Sequence, residues 1–535
     1  MKENHFKTIF IILVVLVLLA AVYIYVFKQN ERTLVTSKVR ENKIDNFTSD
    51  NIRIGIIDFD NINPILSKNK NIQDISRLIF EPLFTLTNDY KLEGVLAKEW
   101  SKINEKTYII KLNENILWHD GNKFDSSDVI FTVNMLKELE NNSIYYYNIK
   151  NILQLHEIDE YTIKVVIDRD IQYFEYNLIF PIISSKYFNG NNINSESKNI
   201  KPVGTGMFYI SDISNKKILL KKNSKNVKAN KLKIEMITLN LYNSLSSVID
   251  AFKSEEVDMF TTSNKNVEDY LKNTRYNISR YINREYNYIA LNCNREVLAN
   301  KEVRRAISYA INKEEISKNV IHNKCEVSNF PLDFGSFAYD IRNNVINYDK
   351  NKAKKILLEN KWKYLELCWQ KKVNNINLKI ELDIVVNKNN TDNVKVANNI
   401  KEQLSLVGIL INVKEVNEKE YNDYLKNKNY DLVIINDTYS YSPSLEKYFG
   451  EVNLSNYTNE ELDRLLKEVE FLNEENKIKQ KYIRINEIYN EDVPHISLYY
   501  DTSSVIYSTN LKGTIIPNSY NLFYGIENWY REYIR

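Results

Sequence analysis

TDNVKVANNIKEQLSLVGILINVKEV, residues 391–416, decides the fold class. Val394, Ala397, Ile400, Leu404 and Val407 recur at three- and four-residue intervals, which places them on one face of a helix. Gly408 can close that helix in a left-handed cap, and Ile409 to Val416 then reads as a strand. A short helix around Tyr421 to Lys426 follows. Tyr430-Asp431-Leu432-Val433-Ile434-Ile435 is a largely apolar run of the kind buried on both faces of a sheet. Helices and strands in alternation predict an α/β layer.

The alternation extends outward from this stretch. Asn300 can cap a helix carrying Val303, Ala306, Ile307 and Ala310, and Asp349 one carrying Ala353, Ile356 and Leu357. Asn312-Lys313-Glu314-Glu315 nearly has the form of a capping box, and Thr458-Asn459-Glu460-Glu461 is read as one opening a helix with Leu462, Leu465, Leu466 and Val469. Ile52 to Ile57, Thr107 to Leu112 and Thr162 to Ile167 are strand candidates. Between the last two, Asp125 caps a helix with Val129, Val133 and Leu136 on one face and Asp128 at its positive end. At 535 residues the chain exceeds one hydrophobic core, so at least two lobes are expected.

Composition excludes several classes. With 43% hydrophobic and 27% charged residues the chain is globular. Its 72 basic and 70 acidic residues nearly cancel, so it lacks the basic field that general nucleic-acid binding requires. Cys293, Cys325 and Cys368 are scattered and lack CxxC spacing, and His5, His119, His156, His322 and His495 stand apart from one another. No disulfide framework, metal cluster or cofactor site is expected.

Ile9 to Phe27 is an unbroken run of apolar residues and tyrosines, about one bilayer crossing long. A cleaved signal peptide and a retained signal-anchor compete. Ala20-Ala21 offers weak cleavage chemistry, whereas apolar residues and tyrosines continue past it to Phe27, which favours the anchor. Leu19-Ala20-Ala21 resembles the start of a lipobox, but Val22 occupies the position of the lipid-bearing cysteine, so thioether lipidation there is chemically impossible. Residues 1–28 are therefore read as a single-pass membrane anchor and 29–50 as a polar tether, with the bulk of the chain extracytoplasmic.

Catalytic signatures are missing. There is no G-x-x-x-x-G-K-[ST] loop, no G-x-S-x-G elbow and no H-E-x-x-H. Asp333-Phe334-Gly335 spells a kinase triplet without its companions and reads as a turn. Gly204-Thr205-Gly206 and His119-Asp120-Gly121 also read as turns, and no catalytic residue is assigned.

Four ordered blocks carry a resemblance. They are Ile79-Phe80-Glu81-Pro82-Leu83-Phe84 running through Leu96-Ala97-Lys98-Glu99-Trp100 and Leu117-Trp118-His119-Asp120-Gly121 to Asp128-Val129-Ile130-Phe131; Pro202-Val203-Gly204-Thr205-Gly206-Met207-Phe208; Ile289-Ala290-Leu291-Asn292 through Val303-Arg304-Arg305-Ala306-Ile307-Ser308-Tyr309-Ala310-Ile311; and Tyr348-Asp349 to Leu358. Together they resemble the family 5 extracellular solute-binding proteins, which bind oligopeptides, dipeptides and nickel. The resemblance implies a two-lobed, periplasmic-binding-protein-like α/β fold of the cluster C type, with an extra subdomain in lobe I. On that reading residues 51–80, 190–282 and 500–535 form the lobe I core, 81–189 the subdomain and 283–499 lobe II. Trp118 and Arg304 are read as structural.

The resemblance also implies capture of a small peptide or similar solute in the interlobe cleft and delivery to an ABC permease with separate ATPase subunits. Peptide binders of the family place an aspartate after a tryptophan to pair with the ligand amine. In Asn436-Asp437-Thr438-Tyr439-Ser440-Tyr441-Ser442-Pro443, Tyr439 falls at the aspartate position and Asn436 at the tryptophan. Candidate ligand-binding residues are accordingly Asn292, Asp437, Tyr439 and Tyr500. A membrane-tethered peptide sensor or adaptor that keeps the fold is the alternative; a chaperone or hydrolase is a third class.

Overall fold

The computed structural model describes residues 47–188, 193, 201–340, 342, 345–374, 376–472 and 474–533. The anchor at 1–28, with Val22, and most of the tether lie outside the described residues. Among the described residues, no helix is long and apolar enough to cross a membrane.

The stretch that opened the sequence reading folds as expected. Thr391–Ser405 is a helix burying Val396, Ala397, Ile400 and Leu404, Gly408 takes a left-handed φ of +82°, and Leu410–Val416 is a strand. Leu410–Val416 pairs in parallel with Glu381–Asn387, which pairs in parallel with Leu432–Thr438. Parallel neighbours need a crossover between them, and the helices Thr391–Ser405 and Glu418–Asn427 supply it.

Among the described residues this parallel edge belongs to a sheet of eleven strands. At its other end Asn51–Ile57 pairs in parallel with Met236–Tyr242 and Met259–Thr262, and Lys217–Lys222 and Phe208–Ile213 extend the edge. Two long antiparallel strands, Tyr276–Leu291 and His495–Ser508, join the halves. The lower part of the ladder, Tyr276↔Ser508 to Ile282↔Thr502, lies in the first half. The upper part, Tyr286↔Tyr500 to Ala290↔His495, lies in the second, where Tyr276–Leu291 also pairs with Leu432–Thr438. Both halves bury apolar residues: Ile52, Ile54, Ile237 and Leu239 in a cluster that runs on into Val385, Val433 and Ile435, and Ile289, Leu382, Ile384, Ile400 and Ile434 in a second. The result is a two-lobed α/β fold.

A separate four-stranded antiparallel sheet, ordered Ala97–Asn104, Thr107–Leu112, Thr162–Ile167, Ile152–Asp159, carries the helix Ser126–Leu139. Asp125 and Asp128 form a full capping box there, and Trp118 Nε1 donates to Asp128 Oδ2 at 3.0 Å.

Two local readings change. Asn459, not Thr458, caps Glu460–Glu470, because its carboxamide accepts from the Leu462 amide. Asn312 accepts from the Glu315 amide, but its own amide is taken by Gln403 Oε1 at 2.6 Å, so that box is completed by a distant helix. Arg304 is structural: its guanidinium donates to the carbonyls of Leu298, Ala299, Asp492 and Val493, tying two helices together.

The histidine and glycine turns dock on each other. His119 Nδ1 accepts from the Gly204 amide at 3.0 Å, and Nε2 lies 3.3 Å from the Gly206 carbonyl, which fixes a neutral tautomer. A Cβ on Gly204 would fall 1.9 Å from the Ile79 carbonyl oxygen, so only glycine permits this approach. Burial holds the His119 imidazole down at about 4, below the roughly 6.5 of an unfolded chain. A depressed folded value means that the unfolded chain takes up the proton first, so stability falls as pH drops from about 6.5 toward 4. NMR titration should show His119 neutral from pH 7 to 5, with a loss of about 2 kcal/mol of unfolding free energy over that window from this residue. A His119 midpoint near 6.5 would contradict the docking.

Candidate functional site

Between Ile282 and Tyr286 the crossover ladder loses register. Asn283, Arg284 and Glu285 stand on one strand opposite Asp501 alone on the other. An insertion of this kind bends the strand and redirects its side chains. Arg284 takes a left-handed φ of +79°, a conformation that a non-glycine residue adopts only when its surroundings hold it. The holding contacts are visible. Arg284 Nε donates to the Tyr439 carbonyl at 2.6 Å, the Tyr439 amide donates back to the Arg284 carbonyl at 2.8 Å, and the guanidinium lies 3.8 Å from the Tyr441 ring centre. Asn283 Nδ2 reaches Ser503 Oγ on the partner strand.

This bulge forms the floor of a cavity of about 880 Å³. The helix Lys70–Ile79 contributes Lys70, Gln73 and Arg77; two short helices beside the four-stranded sheet, Tyr146–Ile149 with its cap Tyr145 and Phe174–Leu178, contribute Tyr145, Asn148 and Tyr176; and Thr438, Ser440, Tyr441 and Ser442 approach from the end of Leu432–Thr438. Both halves of the main sheet therefore wall one space, of a size suited to a small ligand. A second hollow of about 980 Å³ lies between Trp100 to Tyr108 and Glu470-Phe471. It does not touch the bulge; of its two lysines, Lys102 is paired with Glu470 and, at 2.9 Å, with Asp170, and Lys106 donates to the Asp168 carbonyl at 3.0 Å. The cavity at the crossover is the candidate site.

The four residues read from sequence fall in different places. Asn292 is buried away from the cavity, donating to the Lys428 and Tyr430 carbonyls at 2.9 and 3.0 Å. Asp437 pairs with Lys447 at 2.6 Å. Tyr439 is enclosed; its hydroxyl accepts from the Asp333 amide at 3.2 Å, and its ring borders a void of about 10 Å³ shared with Arg284, Asp333 and Ser440. Tyr500, expected beside the cleft, is fully enclosed among Tyr286, Tyr439 and Phe334, because strand alternation turns it into that aromatic cluster. Asp333 heads a turn through its bond to the Gly335 amide at 2.7 Å, and burial pushes its carboxyl up to about 6. The three cysteines are free.

The cavity's charged residues, Lys70, Arg77, Arg284 and Glu285, were not identified from sequence. Arg77 directly precedes the Leu78-Ile79 entry to the first block, and Arg284 and Glu285 sit beside the expected start of lobe II, but nothing in their spacing marked them.

Two lobes wall one cavity, with the strands that join them at its floor. The profile of the bacterial extracellular solute-binding proteins, family 5, matches residues 91–456, more than half of the chain. The chain belongs to that family. It is similar to the oligopeptide-binding protein AppA of Bacillus subtilis, with 21% identity over 489 residues, covering 88% of this chain and 89% of AppA. It is also similar to the nickel-binding protein NikA of Staphylococcus aureus, at 21% identity over 81% of this chain and 85% of NikA. The structure of HbpA2 from Haemophilus parasuis shares the fold with a TM-score of 0.76 at 18% identity, covering 91% of this chain and all of HbpA2.

The Tyr500 hydroxyl is buried without a hydrogen-bond partner among the described residues. Tyr500→Phe removes an unsatisfied polar group, so thermal unfolding should show stability unchanged or raised by up to about 1 kcal/mol, with ligand affinity unaltered. A loss of affinity in a stable variant would place Tyr500 in the site.

Proposed function

We propose that the chain captures a peptide or peptide-like solute in the crossover cavity and presents it to the permease of an ABC importer, while the apolar segment Ile9 to Phe27 holds it at the outer face of the cell membrane. The observation that carries this reading is the shared wall: Arg77 and Gln73 from one lobe, Ser440 and Tyr441 from the other, and the Asn283 to Glu285 bulge between them all line one space. A ligand touching both lobes favours whichever arrangement of the lobes lets it touch both, by its difference in affinity. We take residues 51–80, 190–282 and 500–535 as the lobe I core, 81–189 as its subdomain and 283–499 as lobe II, with the hinge at the bulge. Membership of the family and the similarity to a named oligopeptide-binding protein support the ligand class.

The nickel-binding relative points to another ligand, but no three His, Cys, Asp or Glu residues among those described come together as metal ligands. Tyr439 in place of an aspartate implies that the ligand amine, if free, is met elsewhere. Glu285 is the carboxylate on the cavity wall; burial raises its pKa, with Asp501 and Asp437 adding to the shift.

The test is native mass spectrometry of the full chain extracted by detergent from membranes of the expressing cell. The expected result is a membrane-associated protein that releases a peptide-sized ligand on denaturation, or rebinds one from a mixed peptide pool. Recovery in the soluble fraction would contradict the anchor, and absence of binding to any member of the pool would contradict the peptide.

A further inference from the structure

The cavity's electrostatics narrow the ligand further, an inference that rests on the solute-binding reading above. Lys70, Arg77 and Arg284 line the space, against Glu285 as its lone acidic lining residue. Lys70 is paired with Asp74 and is thereby neutralised. The two guanidiniums lack a direct carboxylate partner: among the described residues neither forms an ion pair, although the buried Asp74 acts on Arg77 and Glu285 on Arg284 from further off. Arg77 Nε is buried with no hydrogen-bond partner, and Arg284 uses its Nε on a neutral carbonyl.

Both arginines are instead held flat against aromatic rings. Arg77 lies 3.8 Å from the centre of the Tyr520 ring and Arg284 3.8 Å from that of Tyr441, while the two rings meet edge to face at 5.3 Å. The rings are fixed in turn, Tyr441 by its hydroxyl bond to the Ser519 carbonyl at 2.7 Å and Tyr520 by Thr85 Oγ1 at 3.3 Å. The outcome is a row, Arg77-Tyr520-Tyr441-Arg284, in which the two arginines and Tyr441 line the cavity and Tyr520 is buried behind them. Stacking orients a guanidinium and leaves its in-plane N–H groups free to form a fork with a carboxylate. Burying such a group without an anion is costly, and the cost is recovered when an anion arrives.

We infer that the ligand is anionic, with carboxylates that pair with Arg77 and Arg284, so that among peptides the cavity selects those whose carboxylates outnumber their amines. The acidic side chain and the terminal carboxylate of one short peptide supply the two groups, and Glu285 is left to meet the amine.

Calorimetry on the full chain with matched tripeptides tests this. The set is Ala-Ala-Glu, Ala-Ala-Gln, Ala-Ala-Lys and Ala-Ala-Glu amide, with glutarate as a non-peptide dicarboxylate. Ala-Ala-Glu should bind at least about tenfold more tightly than each of the other three peptides, the scale of one charge-assisted pair. That preference should weaken with added salt, and should collapse in Arg77→Gln and in Arg284→Gln. The wild-type peptide ranking needs no variant, so a misfolded substitution does not remove the test. Equal or tighter binding of Ala-Ala-Gln or Ala-Ala-Lys overturns the inference and leaves the peptide reading standing. Arginine-dependent binding of glutarate with no peptide binding supports the inference and overturns the peptide. Binding of none of these ligands overturns both.

Discussion

Where Ile282 hands over to Tyr286, the ladder between Tyr276–Leu291 and His495–Ser508 is interrupted by three residues on one strand opposite one on the other. Below this break the pairing is regular, above it the register shifts once more between Asn287 and Tyr288, and the strands on both sides carry buried apolar residues. Packed layers resist gradual deformation. An unpaired bulge opposes bending far less, which is why the proposed hinge is placed there. The bulge also supplies Asn283, Arg284 and Glu285 to the cavity, so residues that line the cavity are the residues that would bend.

That coincidence gives a physical route from binding to shape. Arg284 holds a left-handed backbone through its Nε bond to the Tyr439 carbonyl and its stack on Tyr441, both from the segment after Leu432–Thr438. Arg77, on the helix Lys70–Ile79, stacks on Tyr520, which contacts Tyr441. A ligand anion bridging the two guanidiniums ties the first lobe's helix to the second lobe's loop through a single set of charges. Its contribution to closure is limited to its difference in affinity between the two lobe arrangements.

Much of the fold was legible because it rests on periodicity and capping. The helix over Val394 to Val407, the left-handed Gly408 and the strand after it follow from spacing alone, and Asp125, Asn300 and Asp349 cap where their side chains predict. Thr458 misled because Asn459, the next residue, is an equally good cap and tertiary packing chose it. The site was far less legible. Tyr500 lies in the expected return strand, but which face of a strand meets a cavity depends on register, and the register shifts twice in this ladder. Arg77 and Arg284 are separated by more than two hundred residues, and their common wall exists only because Tyr520 and Tyr441 meet. The segment Asn436 to Pro443 was found, but its contribution to the cavity is Thr438, Ser440, Tyr441 and Ser442, uncharged residues that no charge pattern distinguishes.

The most direct measurement is the distance between the lobes with and without ligand. Val227 in the first lobe and Leu406 in the second are both well exposed and suit labelling as Val227→Cys and Leu406→Cys, since Cys325 and Cys368 are buried and Cys293 is half-buried. Single-molecule energy transfer between the two labels should shift to one new, narrower distance as a bound peptide saturates the protein. An unchanged distance at full occupancy would show that the ligand does not act across the crossover strands, and would contradict a hinge at Asn283 to Glu285.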